Sequence, residues 1–184
     1  QWKQFPEERW CCDTMEAIEG ASSLHHCFDN PEEGCDYLVF RHDPISFSDS
    51  FSVSFRLRHG FAPSSQNNWQ LAVLAEFSEA EILSGIVVGV NYKGSDDLVK
   101  IWGVNAGVIE EWCPSSLNYQ EQVGTALAPL FQLEWDGSSH LSLYCSLDPL
   151  NQVPELIGSC RPESLPTGRE LVLRYRYTSS SDRA

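Results

Sequence analysis

The sequence predicts an all-β protein, built as a sandwich of two antiparallel sheets with jelly-roll topology. Short apolar segments recur from Tyr37 onwards, and Gly, Asn, Asp and Pro residues separate them. They number roughly eight to twelve, at a spacing that is typical of sandwiches and jelly rolls. No amphipathic segment longer than two helical turns lies among them. We therefore expect one domain over residues 1–177, with residues 178–184 as a linker or tail.

The first 36 residues are less regular than the rest of the chain. Trp2, Phe5 and Trp10 stand among charged residues, which is compatible with a short strand or a helical turn. The stretch "HHCFDNPEEGCDY" has the Asn, Pro, Gly and acidic content of a loop. The regular sheets are expected to begin after it.

The clearest strand is "SFSDSFSVSFRLRHG", where apolar residues fall on one face and serines and arginines on the other. Its apolar residues are Phe51, Val53, Phe55 and Leu57. A loop follows, "FAPSSQNNW". The next segments, "WQLAVLAEF" and "SGIVVGVNY", are apolar on both faces, which is typical of central strands that are covered on both sides.

The remaining segments predict hairpins and a last strand. "LVKIWGVNAGVIEEW" contains two strands joined at Asn105–Gly107, and a polar loop is expected from Cys113 to Gln122. "FQLEWDGSSHLSLYC" alternates apolar and polar residues on both sides of Asp136-Gly137, a dipeptide that tolerates the positive φ of a hairpin turn. The last strand is "RELVLRYRY".

The charge of the chain narrows the class of partner. The 184 residues include 12 Lys and Arg against 26 Asp and Glu, a formal net charge of -14. Nucleic acid is excluded as the main partner, because its phosphates need a surface of positive potential. No run of about 18 apolar residues is present, so no transmembrane segment is expected. The chain begins with Gln1 instead of Met, as expected of an exported protein after removal of a signal peptide.

Seven cysteines leave at least one that cannot pair within the chain. Cys27 and Cys35 bracket a loop that contains Pro and Gly, and they are candidates for a short disulfide or for free thiols. Cys145 falls on the apolar side of its strand and is expected to be a small buried residue. The cysteines permit export without establishing it.

Catalysis is not the expected function. The phosphate-binding, nucleophile-elbow and zinc-protease motifs are absent from the sequence. A glycoside hydrolase of sandwich fold needs two facing carboxylates. Glu79 and Glu81 alternate without a third acid, and Glu134 stands alone on its strand. A polysaccharide hydrolase is therefore the weaker alternative.

Two sets of residues are candidates for ligand binding. Asp96 and Asp97, in a Gly-Ser turn, offer carboxylates to calcium, and a solvated turn is the alternative. No other cofactor is expected. The second set lies on the polar sides of three strands: Arg56, Arg58, Trp102, Arg174 and Arg176.

If the strands that carry this second set are neighbours, its side chains form one sugar-binding platform. Aromatic rings stack on sugar faces, and guanidinium groups bind hydroxyl and carboxylate oxygens. The alternative is that the arginines pair with nearby acids on a solvated sheet face.

Three segments, in order along the chain, carry a family resemblance. They are "FSVSFRLRHGFAPSSQNNWQLAVLAE", "GIVVGVNYKGSDDLVKIWGV" and "LFQLEWDGSSHLSLYCSLDP". The loop motif is matched by Pro63, Ser64, Ser65, Asn67, Asn68 and Trp69, and the hairpin motif by Trp135, Asp136, Gly137, Leu143 and Tyr144. These features resemble the concanavalin A-like (LamG-like) jelly-roll domain found near the N-terminus of secreted, often multidomain, Bacteroidetes proteins. The match covers about residues 37–160 and departs from the pattern in its extra cysteines and at His140 and Leu141.

The resemblance implies the fold, export, and a surface or binding role, with further domains in the full-length chain. It supplies no catalytic residues. We therefore expect a non-catalytic extracellular or cell-surface binding module, with carbohydrate as its ligand class and a glycan or a cell-surface protein as its partner. A structural or adhesin domain of a larger secreted protein is the alternative.

Overall fold

The computed structural model describes residues 2–15, 18, 21–26, 33–78, 81–148, 150 and 153–178. Within these residues, thirteen strands form two antiparallel sheets and a separate hairpin. The prediction of an all-β antiparallel sandwich is confirmed. The single helix described here, α1 (Tyr119–Gln122), has four residues. No helix in the described part of the chain is long and apolar enough to cross a membrane.

The larger sheet has seven strands. In spatial order they are β1 (Trp2–Phe5), β4 (Gly34–Arg41), β13 (Glu170–Tyr177), β6 (Asn68–Phe77), β7 (Ile82–Val90), β8 (Leu98–Asn105) and β9 (Val108–Asn118). The smaller sheet has four, in the order β12 (Glu155–Cys160), β11 (Leu141–Ser146), β10 (Leu130–Trp135) and β5 (Phe51–Arg56). The hairpin consists of β2 (Trp10–Asp13) and β3 (Ser23–His26).

The main core lies between the two sheets and follows the alternation that the sequence predicts. Its least exposed large residues are Trp69, Ile86, Ile101, Phe131, Leu133, Trp135, Leu141 and Leu143. Full burial of one such side chain stabilises the fold by about 1.5–3 kcal/mol. Cys145 is buried in the same core, as predicted.

The outer face of the larger sheet is also covered, which explains why β6 and β7 are apolar on both faces. A second buried cluster there contains Val87 and Trp102 from the middle of the sheet. Phe77 and Ile82, at the joined ends of β6 and β7, pack into this cluster. The Phe77 ring lies 4.9 Å from the ring of Tyr37, which stands on the neighbouring part of the same face.

Two local predictions differ from the structure. Strand β9 continues to Asn118, where a polar loop was expected after Cys113, because its pairing with β8 extends to Leu98 opposite Asn118. In the β10–β11 hairpin Gly137 has the predicted positive φ, 80°. The connection is longer than a two-residue turn, since the Asp136 amide donates to the His140 carbonyl at 3.1 Å.

The side chain of Asp136 organises that connection. Its Oδ1 accepts hydrogen bonds from the amides of Ser138 and Ser139 at 2.8 Å and of His140 at 3.1 Å. These backbone amides, led by that of Ser139, hold the pKa of the Asp136 carboxyl well below its usual range.

The cysteines are mostly reduced in the described part of the chain. Cys11 is disulfide-bonded, whereas Cys12, Cys35, Cys113, Cys145 and Cys160 carry free thiols. The hypothesised disulfide between Cys27 and Cys35 is therefore wrong, because Cys35 carries a free thiol. Cys27 itself lies outside the described residues.

Candidate functional site

The candidate site is a cavity of about 940 Å³ between the β2–β3 hairpin and the end of β5, here called the basic cavity. Its charged and imidazole lining residues are His25, His26, Arg56, Arg58, His59 and Arg174. Its apolar and aromatic lining residues include Trp10, Leu24, Phe55, Leu57, Trp69, Leu130 and Tyr175. The β13 segment 173–175 also contributes to the wall.

A buried carboxylate holds the hairpin in place beside the larger sheet. Asp36 on β4 is 1% exposed, and its Oδ2 lies 2.7 Å from Nε2 of His26. The Tyr177 hydroxyl donates to the Asp36 Oδ1 at 3.1 Å, and Arg9 Nε lies 3.7 Å from Oδ2. Burial, with the charge and hydrogen bond of Asp36, raises the pKa of Tyr177 to about 12. Because a buried carboxylate must be compensated, this cluster ties β3 to β4 and β13.

Ring contacts continue from this anchor into the cavity wall. The His26 ring lies 4.7 Å from the ring of Trp10 and 4.7 Å from that of Tyr175. Tyr175 in turn lies 5.6 Å from His59. Such edge-to-face contacts fix ring positions more firmly than area burial alone. These rings are at most 9% exposed, so they fix the wall from behind, and the accessible apolar lining includes Leu24, which is 48% exposed.

Arg56 and Arg58 line the cavity at the C-terminal end of β5. β5 is an edge strand that pairs only with β10 in the smaller sheet. The strand stops at Arg56, so the residues after it are released from strict alternation. Arg56 is half-buried and Arg58 is exposed, and both line the same cavity.

The cavity differs in charge from the protein as a whole. Among the described residues, no Asp or Glu lines it, although the chain carries 26 acidic residues. Both arginines also interact with other groups of the chain. The lining thus offers hydrogen-bond donors beside aromatic carbon.

The opposite edge of the sandwich has a second concavity of about 980 Å³, here called the acidic groove. It lies between β9 and the segment after β12. Its charged lining residues are Glu76, Glu110, Glu111, Glu163 and Arg161. Its aromatic residue, Trp112, lies directly on Gly103, where a Cβ atom would overlap the indole ring.

The structure divides the predicted arginine platform between the two sheets. β5 belongs to the smaller sheet, whereas β13 and β8 belong to the larger one and are separated by β6 and β7. The guanidinium of Arg174 is hydrogen-bonded to Gln70, to Asn68 at 3.2 Å and to the Cys35 thiol at 3.0 Å. It also lies over the Tyr92 ring, 5.3 Å from its centroid.

The other two members of the predicted platform have partners of their own. Trp102 is 1% exposed, and its ring lies 5.7 Å from that of Tyr92. Arg176 donates to the Gln66 side chain at 3.1 Å. Three of the five predicted binding residues, Arg56, Arg58 and Arg174, line the basic cavity, and among them Arg174 is buried with its guanidinium bonded to Asn68, Gln70 and Cys35.

The side chains of the predicted calcium ligands, Asp96 and Asp97, interact with other residues at the β7–β8 turn. Asp96 Oδ2 lies 2.5 Å from Lys100 Nζ, and Asp97 Oδ1 accepts a hydrogen bond from Asn91 at 2.6 Å. Burial lowers the pKa of Lys100, but the hydrogen bonds and charges of Asp96 and Glu111 outweigh it and raise the pKa overall. In the described residues, no three His, Cys, Asp or Glu side chains are grouped as metal ligands. Calcium binding at this turn stays a prediction.

Sequence reasoning missed most of the cavity wall. Trp10 and His26 were assigned to irregular or loop segments, where strand alternation carries no information, and His59 was the end of a predicted strand with no role assigned. The one usable signal was the density of aromatic and imidazole residues among the first 36 residues, because such residues are seldom left without a packing surface.

Comparison with known proteins identifies the fold. No protein-family model and no curated protein sequence matches the chain. Among solved structures, carbohydrate-binding module CBM66 from Bacillus subtilis matches with TM-score 0.57 and 11% identity, over 97% of this chain and 92% of that one.

Two lectin structures match similarly. The exoplasmic/lumenal domain of VIP36 in its Ca2+/Man-bound form gives TM-score 0.63 and 10% identity, over 96% of this chain and 76% of that one. Lectin I-B4 from Griffonia simplicifolia, in a metal-free form, gives TM-score 0.59 and 13% identity, over 100% of this chain and 94% of that one. At these identities the likeness shows the fold alone: a concanavalin A-like jelly-roll sandwich.

Proposed function

We propose that this chain is a non-catalytic carbohydrate-binding module that binds glycan in the basic cavity. The observation that carries the proposal is the cavity lining, where the apolar surface of Leu24 and Phe55 adjoins Arg56 and Arg58 over a backing of buried aromatic rings. Sugars present apolar ring faces and hydroxyl edges together, and this wall offers a surface for each. Two structural neighbours, the carbohydrate-binding module CBM66 and the Ca2+/Man-bound form of VIP36, support the same class of ligand.

Within this proposal the predicted residues have different roles. Arg56 and Arg58 bind the ligand. Arg174, Arg176 and Trp102 support the larger sheet and the wall segment behind the cavity, since their side chains contact Gln70, Gln66 and Tyr92.

Export to the cell surface or medium is part of the proposal. The disulfide at Cys11 supports it, because disulfides persist in oxidising compartments. The corresponding partner is an extracellular glycan.

The test is a calorimetric binding screen of the whole chain against soluble neutral and acidic polysaccharides, with calcium and with a chelator. Arg58→Ala is the informative variant, because Arg58 is exposed and its loss should leave the fold intact. Binding that Arg58→Ala weakens supports the proposal, and loss on chelation assigns a role to calcium. Absence of binding across the panel contradicts the proposal and favours the structural or adhesin alternative.

A further inference from the structure

The charged residues of the basic cavity indicate which class of carbohydrate it binds. We infer that the cavity recognises a carboxylate-bearing sugar, such as a uronic acid residue within a polysaccharide. The inference rests on the proposed function, since it names the class of glycan for the same site.

The first argument is the placement of charge. The formal net charge of the chain is -14, yet the described lining of this cavity includes arginines and no acidic residue. Asp13 and Asp36, which are not in the lining, pair with His25 at 3.1 Å and with His26 at 2.7 Å, so the arginines carry the positive charge of the cavity. The acidic groove on the opposite edge contains four glutamates and one arginine. The two concavities therefore differ in the sign of their lining charge, and the one with aromatic walls is the positive one. An anionic ligand would be repelled from most of the surface and attracted here.

The second argument is the geometry of the donors. Arg56 is the last residue of edge strand β5, Arg58 follows it two residues later, and both line the same cavity. A guanidinium group binds a carboxylate through two parallel N–H···O bonds, which a neutral hydroxyl cannot match. Both arginines also interact within the chain, so the ligand adds to existing contacts.

The third argument is the apolar wall beside these donors. Leu24 is 48% exposed and Phe55 is partly exposed in the cavity lining, whereas Trp10, His26 and Tyr175 are buried and give the wall a fixed backing. A pyranose ring would place its apolar face against Leu24 and Phe55 and its carboxylate toward the arginines. A small inorganic anion uses only the arginines, so the wall selects an anion that carries apolar surface.

The experiment compares polygalacturonate with its methyl-esterified form, with dextran as an uncharged polymer and with dextran sulfate as a non-carboxylate polyanion. Binding is measured by calorimetry on the whole chain at two salt concentrations. Arg58→Gln and Arg58→Lys test the site, and Arg161→Gln, in the acidic groove, is the matched control.

The inference predicts the tightest binding for polygalacturonate. Arg58→Gln should weaken it by about tenfold or more, because hydrogen bonds to charged groups contribute about 1.5–3 kcal/mol. Arg58→Lys should recover only part of the loss, and Arg161→Gln should leave the affinity within about twofold. Affinity should fall as salt rises.

The outcomes separate the inference from the proposed function. If dextran or the methyl ester binds as well as polygalacturonate and Arg58→Gln weakens all of them, the glycan site stands and carboxylate recognition is overturned. If dextran sulfate binds as well as polygalacturonate, the site recognises polyanions in general and the inference fails. If Arg161→Gln weakens binding as much as Arg58→Gln, the location is wrong. If none of the glycans binds, both proposals fail.

Discussion

The concavities at the two edges of the sandwich have similar volumes, about 940 and 980 Å³, but lining residues of opposite charge. The basic cavity lies under a hairpin that is anchored by a buried carboxylate, and arginines stand at its mouth. The acidic groove lies beside β9, where four glutamates surround a tryptophan that rests on a glycine.

The two edges differ in how deeply their charged side chains are buried. On the basic side, Asp36 is 1% exposed, and it bonds to His26 in the cavity wall and to Tyr177 on β13. On the acidic side, Glu111 is 42% exposed and its partner Lys100 lies on the sheet. A ligand site needs a fixed wall, and the buried Asp36 network supplies one at the basic edge.

The largest effect is expected from breaking that network. Asp36→Ala leaves His26 and Tyr177 without their shared acceptor and should lower the free energy of unfolding by about 3 kcal/mol. Chemical denaturation measures the loss, and Asp43→Ala, at an exposed position, should change stability by less than about 0.5 kcal/mol. Equal losses for the two variants would show that the Asp36 cluster does not hold the hairpin.

A smaller loss is expected from Gly103→Ala on the acidic edge. The new Cβ overlaps the indole of Trp112, so the ring must move out of the sandwich, at a cost of about 1–3 kcal/mol. Thermal unfolding and tryptophan fluorescence report the change. In a Trp112→Ala background the same substitution should cost much less, and an undiminished cost there would assign the effect to the backbone.

A smaller change still is expected from Lys100→Met. Lys100 Nζ lies 2.9 Å from the Glu111 carboxylate, and its loss makes the acidic groove more negative. Because Asp96 is 46% and Glu111 42% exposed, water screens both pairs, and the expected loss is at most about 1 kcal/mol. Lys93→Met, at an exposed position, is the control. A loss near that of Asp36→Ala would mean that the acidic edge also depends on a buried charge network.

The alkylation rates of the thiols should distinguish buried cysteines from exposed ones, and this experiment needs no substitution. Burial raises the pKa of Cys145 to about 12, and burial together with Cys113 raises that of Cys160 to about 12. Since the thiolate reacts, both should be alkylated roughly a thousandfold more slowly at pH 8 than an ordinary exposed thiol. Mass spectrometry after iodoacetamide treatment should find Cys12 modified first. Rapid modification of Cys145 in the folded protein would contradict its burial.

Much of the fold could be predicted because strand alternation is local. The apolar phases of Phe131–Trp135 and Leu141–Cys145 were assigned to the core and lie there. The doubly apolar strands β6 and β7 were assigned to central positions and occupy them. Local patterns missed the continuation of β9 to Asn118, since polar residues on an edge strand resemble a loop.

Less of the candidate site could be predicted. Arg56 and Arg58 were singled out from their strand, and the structure places them at the basic cavity. Trp10 and His26 were not, because their role depends on Asp36, which lies on another strand.

The sequence by itself determined the class of fold, the inward and outward faces of the strands, and a net charge that argues against nucleic acid as the main partner. Each of these follows from spacing or composition along one stretch of chain. Only the tertiary structure decided that Arg56 and Arg174 belong to different sheets and that Trp102 is covered by its own sheet neighbours. The physical reason is that strand adjacency depends on pairing between distant segments, and the alternation within each strand is the same whichever neighbour it finds.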